Sequence, residues 1–221
     1  LAKTGKPVIL CMFSGSDLDL SFARDHFDAI LQMWYPGCEG GRAAARILFG
    51  EVSPSGKLPL TFYESLDELP AFTDYSMKGR TYRYLEGTAQ YPFGYGLTYG
   101  SVSVTEAKAA GTKADFHLEV TAKNTGKMDT GEVIQVYLSG QDTACGTRNP
   151  SLCAFTRIFL KAGEAKTFTI SVPQKAFTVV DEEGCRIDGG NHFRLYVGCS
   201  QPDAKSVELT GIAPLILSVA F

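Results

Sequence analysis

The sequence predicts an α/β domain followed by an all-β antiparallel sandwich. Three observations carry that reading. Residues 7–63 alternate apolar runs of strand length with helical patterning. Residues 101–211 alternate apolar and polar with period two and hold no helical stretch between the runs. The segment between them, Tyr75 to Tyr99, contains six of the ten tyrosines, with Phe93 besides.

Pro7 to Phe13 (PVILCMF) is a continuous apolar run closed by Ser14-Gly15, the pattern of a strand buried on both faces. Leu20 to Phe27 has Ala23 and Phe27 at helical spacing. Ala29 to Tyr35 either continues that helix or forms a second strand. A strand is the better fit, because strand, helix and strand then close a right-handed parallel crossover. Pro36-Gly37 ends it. Glu39 to Phe49 predicts a helix with Ala43, Ala44, Ile47 and Leu48 as its buried stripe, Glu39 near the positive end of the helix dipole and Gly50 after its end. Its first-turn glycines, Gly40 and Gly41, belong to no phosphate-binding pattern. Leu58 to Tyr63 predicts a strand whose Pro59 places it at an edge or near its start, and Glu64 to Asp74 a surface loop. The tyrosine-rich seam suits an extended strap, half buried, with hydroxyl tips hydrogen-bonded.

Beyond Gly100 the predicted strands are Ser101–Glu106, Ala114–Asn124, Glu132–Ser139, Ser151–Lys161, Lys166–Val172 and His192–Gly198. Glu132–Ser139 is apolar on both faces and so reads as central. Ala176–Val180 is a short turn or an edge strand. Turn residues at 124–126, 162–164 and 189–191 separate the runs, as in an antiparallel sandwich. Ile212 to Phe221 is an apolar tail that must pair, pack or dimerise. The boundaries are 1–74 for the first domain, 75–100 for the aromatic linker, 101–211 for the sandwich and 212–221 for the tail.

A net charge of −3 and 20% charged residues give no basic footprint for nucleic acid. The longest apolar run is shorter than the roughly 20 residues that cross a bilayer. The opening LAKTGKPVIL carries no signal-peptide pattern, and a chain that begins on Leu1 just before a strand reads as a fragment; cytoplasmic and secreted settings both stay open. The six cysteines form no C-x-x-C pair, so no metal site is expected. Cys145 and Cys153 flank one loop and are a candidate disulfide, whereas Cys11, inside an apolar strand, reads as a reduced thiol.

The seam, KGRTYRYLEG…YPFGYGLTY, resembles the interdomain junction of glycoside hydrolase family 3, the β-glucosidases and β-xylosidases. Upstream, WYPGCEGGRAAARILFGEVSPSGKLPLTFY (Trp34 to Tyr63) is similar to that family's α/β sandwich domain. Downstream, NTGKMDTGEVIQVYL (Asn124 to Leu138) and Phe155 to Asp181 resemble its fibronectin type III-like, immunoglobulin-like domain. The resemblance runs from about Lys6 to Gly211. It implies the end of an α/β sandwich domain plus a fibronectin type III-like domain, in an enzyme that removes terminal β-glucosyl or β-xylosyl residues from a glycoside or oligosaccharide. It also implies an N-terminal barrel as the missing partner and no cofactor.

Retaining glycosidases use two carboxyl groups about 5–5.5 Å apart. Asp17 and Asp19 are the tempting pair, but two residues apart after a turn they read as helix-start residues. In the resembled family the nucleophile is an aspartate on the barrel, and the acid/base is usually a glutamate upstream of the matched residues. No catalytic residue is therefore carried over, and the chain alone is expected to be inactive. His26, His117 and His192 are scattered, and Ser14-Gly15-Ser16 is no nucleophile elbow. Lys78, Arg80 and Arg83 are the basic cluster of the seam: they pair with carboxylates, stack on tyrosines, or border a sugar pocket, for which Lys78, Arg80 and Tyr82 are the candidates. The alternative function is a non-catalytic carbohydrate-binding or scaffold module, with Tyr137, Phe155 and Tyr196 as candidate exposed aromatics. The open parallel edge, with Val8, Leu10, Ile30 and Trp34 uncovered, together with the tail, predicts either self-association, most simply a homodimer, or a seam that folds back to cap the edge and leaves a monomer.

Overall fold

The computed structural model describes residues 1–221. In the first domain β1 (Ile9–Met12), α1 (Ser21–His26) and β2 (Ala29–Gln32) form the expected unit, and β1 and β2 pair in parallel from Ile9↔Ala29 to Met12↔Gln32. α2 (Gly40–Leu48) follows. Its buried side is narrower than the sequence stripe: Ala44 is buried and Ile47 half-buried, while Ala43 and Leu48 are exposed and Phe49 is 84% exposed. Beyond Ala44 and Ile47 the apolar face of α2 is open to solvent; this chain supplies only two parallel strands, and a sheet of that kind expects cover on both faces. The domain's buried hydrophobic cluster is correspondingly small: Met12, Leu20 and Phe62.

The strand expected over Leu58–Tyr63 is reduced to β3 (Phe62–Tyr63). Pro59 has no N–H to give a ladder. Leu58 instead makes an isolated exchange with the seam: its N–H donates to Tyr95 O at 2.8 Å, and Gly94 N–H donates to Leu58 O at 2.8 Å. The seam itself is not an extended strap. It begins with one helical turn, α3 (Thr81–Tyr84), and then runs as β4 (Ala89–Tyr91), antiparallel to β3. Part of the linker is therefore built into the first domain.

The second domain is a two-sheet sandwich. β5 (Val102–Thr112), β6 (Asp115–Asn124) and β9 (Ala165–Val172) form one sheet; β7 (Thr130–Gly140), β8 (Ser151–Leu160), β12 (His192–Gly198) and β13 (Leu215–Ala220) form the other, in the order β13-β12-β7-β8. Phe116, Leu118, Val120 and Ala122 of β6 and Ile134, Val136 and Leu138 of β7 belong to a core of 16 buried residues. β7 is central, as its two apolar faces predict. β10 (Thr178–Val180) and β11 (Arg186–Asp188) make a small side hairpin. α4 (Ala204–Thr210) is capped by Asp203, whose carboxylate accepts from Ser206 N at 2.9 Å, and ends on Gly211 in the left-handed region.

The residues set apart as a tail supply β13, which pairs with β12 from His192↔Ala220 to Val197↔Leu215. The Phe221 ring then closes over Phe116, Phe177 and Phe193. The tail's apolar alternation is thus spent inside the chain. All six cysteines are free thiols; Cys153 donates to Val136 O at 3.2 Å rather than joining Cys145.

Candidate functional site

The seam meets the outer face of the four-stranded sheet, and the aromatics that cluster in the sequence do their packing there. Tyr82 is buried, its ring stacked on Phe93 with centroids 4.2 Å apart and edge-on to Tyr137 at 6.1 Å. Its hydroxyl accepts from Leu152 N at 3.0 Å, which ties α3 to β8. Asn149 completes that tie by donating through Nδ2 to the carbonyls of Tyr82 (2.8 Å) and Leu85 (3.0 Å). Tyr91 and Tyr95 stack at 5.8 Å, and burial pushes the Tyr95 phenol up to about 12.

Below the aromatics lies a polar layer. Gln135 Nε2 donates to Gly94 O (2.9 Å) and Cys199 O (3.0 Å), and its Oε1 accepts from the Tyr137 hydroxyl at 2.6 Å. Gly94 has φ +75, and a Cβ there would meet Gln135 Oε1 and lie 2.7 Å from the Tyr137 oxygen, so only glycine fits. Lys57 and Glu132 form an ion pair at 2.8 Å, both almost fully buried, and Lys57 also donates to Gly96 O at 2.7 Å. Burial raises the Glu132 carboxyl above its ordinary value against the opposing pull of Lys57 and of the Val133 N–H. Ser53 and Thr130 share a 2.7 Å hydrogen bond, Tyr99 N donates to Ser53 Oγ at 2.9 Å, and Arg157 of β8 donates to Ser55 Oγ. These contacts join the two domains directly.

The three seam candidates have different surroundings. Tyr82 is the aromatic anchor just described. Arg80 staples a loop, its guanidinium donating to the carbonyls of Ala71 (3.1 Å), Asp74 (2.5 Å) and Ser76 (3.1 Å). Lys78 is exposed and lines an open cleft beside that loop. Arg83 lies over the Tyr82 ring at 5.7 Å, the stacking expected of a seam arginine. Asp19 accepts from Ser21 N (2.9 Å) and from the Ser21 hydroxyl (2.5 Å), which hold its carboxyl below the usual range and set the start of α1. His26 bonds Phe22 O within its helix, and His192 faces Asp142 at 3.0 Å. Of the candidate exposed aromatics, Tyr137 is fully buried, Tyr196 is half-buried, and Phe155 is exposed on β8.

Sequence reasoning passed over Lys57, Glu132, Gln135, Asn149 and Arg157. Glu132 and Gln135 carried a signal, since polar side chains in a strand apolar on both faces need partners. Lys57, Asn149 and Arg157 carried none, being ordinary polar residues of turns and an edge strand.

Residues 1–99 match the glycosyl hydrolase family 3 C-terminal domain, and residues 132–201 match the fibronectin type III-like domain. A xylan 1,4-beta-xylosidase of Xylanibacter ruminicola is 41% identical over 214 residues, which are 95% of this chain and 24% of that protein. A periplasmic beta-glucosidase of Salmonella typhimurium is 33% identical over 93% of this chain and 29% of its own length. Among solved structures, a beta-glucosidase from Listeria innocua in complex with isofagomine superposes with a TM-score of 0.77 at 31% identity, over 99% of this chain and 32% of that one. The chain thus spans about a quarter to a third of the length of these relatives.

Proposed function

We propose that this chain, which carries the two C-terminal domains of glycoside hydrolase family 3, is the C-terminal portion of a β-glycosidase acting on terminal β-glucosyl or β-xylosyl residues. The observation that carries the reading is the junction: both domains occur in family order and are locked by a buried aromatic stack, an ion pair and the Gln135 network. A buried junction of this kind suits a support that completes and covers a site built elsewhere in the polypeptide.

The 221 residues form no barrel. The two carboxyls of the reaction then come from the region that precedes these domains in the relatives. The exposed flank of α2 and the open edge of the β1–β2 sheet are where that region docks. The test is a fusion of this chain to the N-terminal part of the Xylanibacter ruminicola relative. Turnover of aryl β-xyloside or aryl β-glucoside well above that of the truncated relative alone is expected; a soluble fusion with no turnover of either glycoside refutes the proposal.

A further inference from the structure

The buried ion pair of the junction faces a pocket of about 120 Å³ that neither hydrophobic core uses. Its walls come from the seam (96–102), from the end of β12 and the residues after it (198–200), and from the segment that joins α4 to β13 (210–214), with Lys57 and Glu132 completing it. The Lys57 and Glu132 side chains are 10% and 5% exposed, and each has bonding capacity to spare. Glu132 Oε1 takes both of that carboxylate's contacts, from Lys57 at 2.8 Å and from Val133 N–H at 2.7 Å, whereas Oε2 accepts no hydrogen bond. An ammonium group has three N–H donors, and Lys57 directs only two of them, to Gly96 O and to Glu132. Ser200, 9% exposed, lines the same pocket, and its hydroxyl bonds to no protein group. A buried polar group left unbonded loses more than the bond itself would gain, most of all when it is charged. Three such groups on one pocket define a binding site.

The walls narrow the ligand. Lys57 and Glu132 cancel in charge, so a bound ion would bear the cost of its own desolvation with no net opposite charge to offset it. The ligand is therefore neutral. The volume is that of about four water molecules and well below the roughly 300–1,000 Å³ of drug-sized sites, which excludes a sugar ring. Glu132 Oε2 only accepts, Lys57 only donates, and the Ser200 hydroxyl does both. A short chain with a hydroxyl on each carbon meets all three, because every hydroxyl both donates and accepts; an amide has only two polar poles to offer. Leu97, Val102 and Ile212 supply apolar contact for the C–H groups.

We propose that this junction pocket binds a small neutral polyol of the glycerol class, with Glu132 Oε2 accepting from one hydroxyl, Lys57 donating to a second and Ser200 exchanging a hydrogen bond with the third. Since the walls belong to the seam and to the sandwich, an occupant ties one to the other. Nothing in this inference depends on the glycosidase reading. The experiment is titration of the purified chain with glycerol, followed by two-dimensional NMR of backbone amides, with propane-1,3-diol and acetamide as comparison ligands. Saturable shifts confined to residues 96–102, 132–133, 198–200 and 210–214 are expected with glycerol, with weaker binding of propane-1,3-diol, which lacks the middle hydroxyl. Ser200→Ala removes a hydroxyl that no protein group uses, so the fold is kept; it should weaken glycerol about threefold to tenfold, the scale of one neutral hydrogen bond. Glu132→Gln should weaken it about tenfold or more, the scale of a hydrogen bond to a charged group. If that variant does not fold, Ser200→Ala decides alone. Shifts that rise linearly without saturating, saturable shifts elsewhere, affinity unchanged by Ser200→Ala, or acetamide binding as tightly as glycerol would each overturn the proposal.

Discussion

Replacing Gly94 by alanine isolates how much the fit of seam to sheet contributes to stability. The substitution has two costs. The first is conformational, because φ is +75 at this position and an L-residue there costs roughly 1–2 kcal/mol. The second is local, because the new methyl would displace the Gln135 carboxamide, which bonds Gly94 O, Cys199 O and the Tyr137 hydroxyl. Leaving two of those buried polar groups unsatisfied costs about 2–6 kcal/mol. Gly163 supplies the control, since it has φ +77 with nothing within 4 Å of a built Cβ. Gly163→Ala therefore carries the first cost alone, and the gain from stiffening the unfolded chain is common to both variants and cancels. Urea unfolding reads the difference twice: fluorescence of Trp34, the single tryptophan, reports the first domain, and far-ultraviolet circular dichroism reports the sheets. With a slope of about 1–3 kcal/mol per molar urea, Gly94→Ala should lower the midpoint by roughly 1 M or more beyond Gly163→Ala, with the Trp34 signal moving first. Equal midpoints for the two variants would refute the close-fit argument.

Purified alone, the chain should not turn over aryl β-glucosides or β-xylosides; activity abolished by Asp17→Asn would overturn that. Because burial raises the folded-state value of Glu132, its contribution to stability is complete below the unfolded value of about 4.3 and is lost as pH rises through the folded value. The wild type should accordingly compare more favourably with Glu132→Gln at pH 4 than at pH 8, and a difference that grows with pH would count against the assignment. Breaking the same pair with Lys57→Met, which strands a buried carboxylate, should cost about 3–5 kcal/mol, measured by thermal unfolding at pH 8; a cost under 1 kcal/mol would mean that water reaches the site. Arg80→Met should speed amide exchange across residues 71–76 while Phe116–Val120 stays protected, whereas unchanged exchange in the loop would remove Arg80 from its stapling role.

The sandwich was legible because its information is local. Phe116, Leu118, Val120 and Ala122 alternate without a break, and β7 announces its central place by being apolar on both faces. Strand β12 begins and ends where its pattern does. The misjudged pieces depend on partners distant in sequence. α3 is a single turn whose Tyr82 is held by β8, 70 residues away, and no periodicity marks so short an element. The stripe on α2 has helical spacing, but spacing does not state whether a covering surface is present. β13 was hidden because an apolar alternating run pairs equally well within a chain or between chains. For the candidate site, the seam's concentration of tyrosines gave its place and not its chemistry. The buried polar partners come from turns and strand ends, where a lysine or an asparagine looks like any other.

The exchange of hydrogen bonds between Leu58 and residues 94–95 means that the backbone leaves and re-enters the first domain at one point. Everything from β3 to the end of β4 is an excursion pinned at its neck, again by β3–β4 pairing, and through Tyr82 of α3 to β8. Material inserted at the outer end of that excursion would not alter the distance between its ends. The register of the seam on the sandwich is therefore insulated from length changes in residues 66–78, and so is the ion pair beneath it. Two chains that share this junction can differ freely in what they display there, with the neck acting as a fixed socket for an exchangeable head.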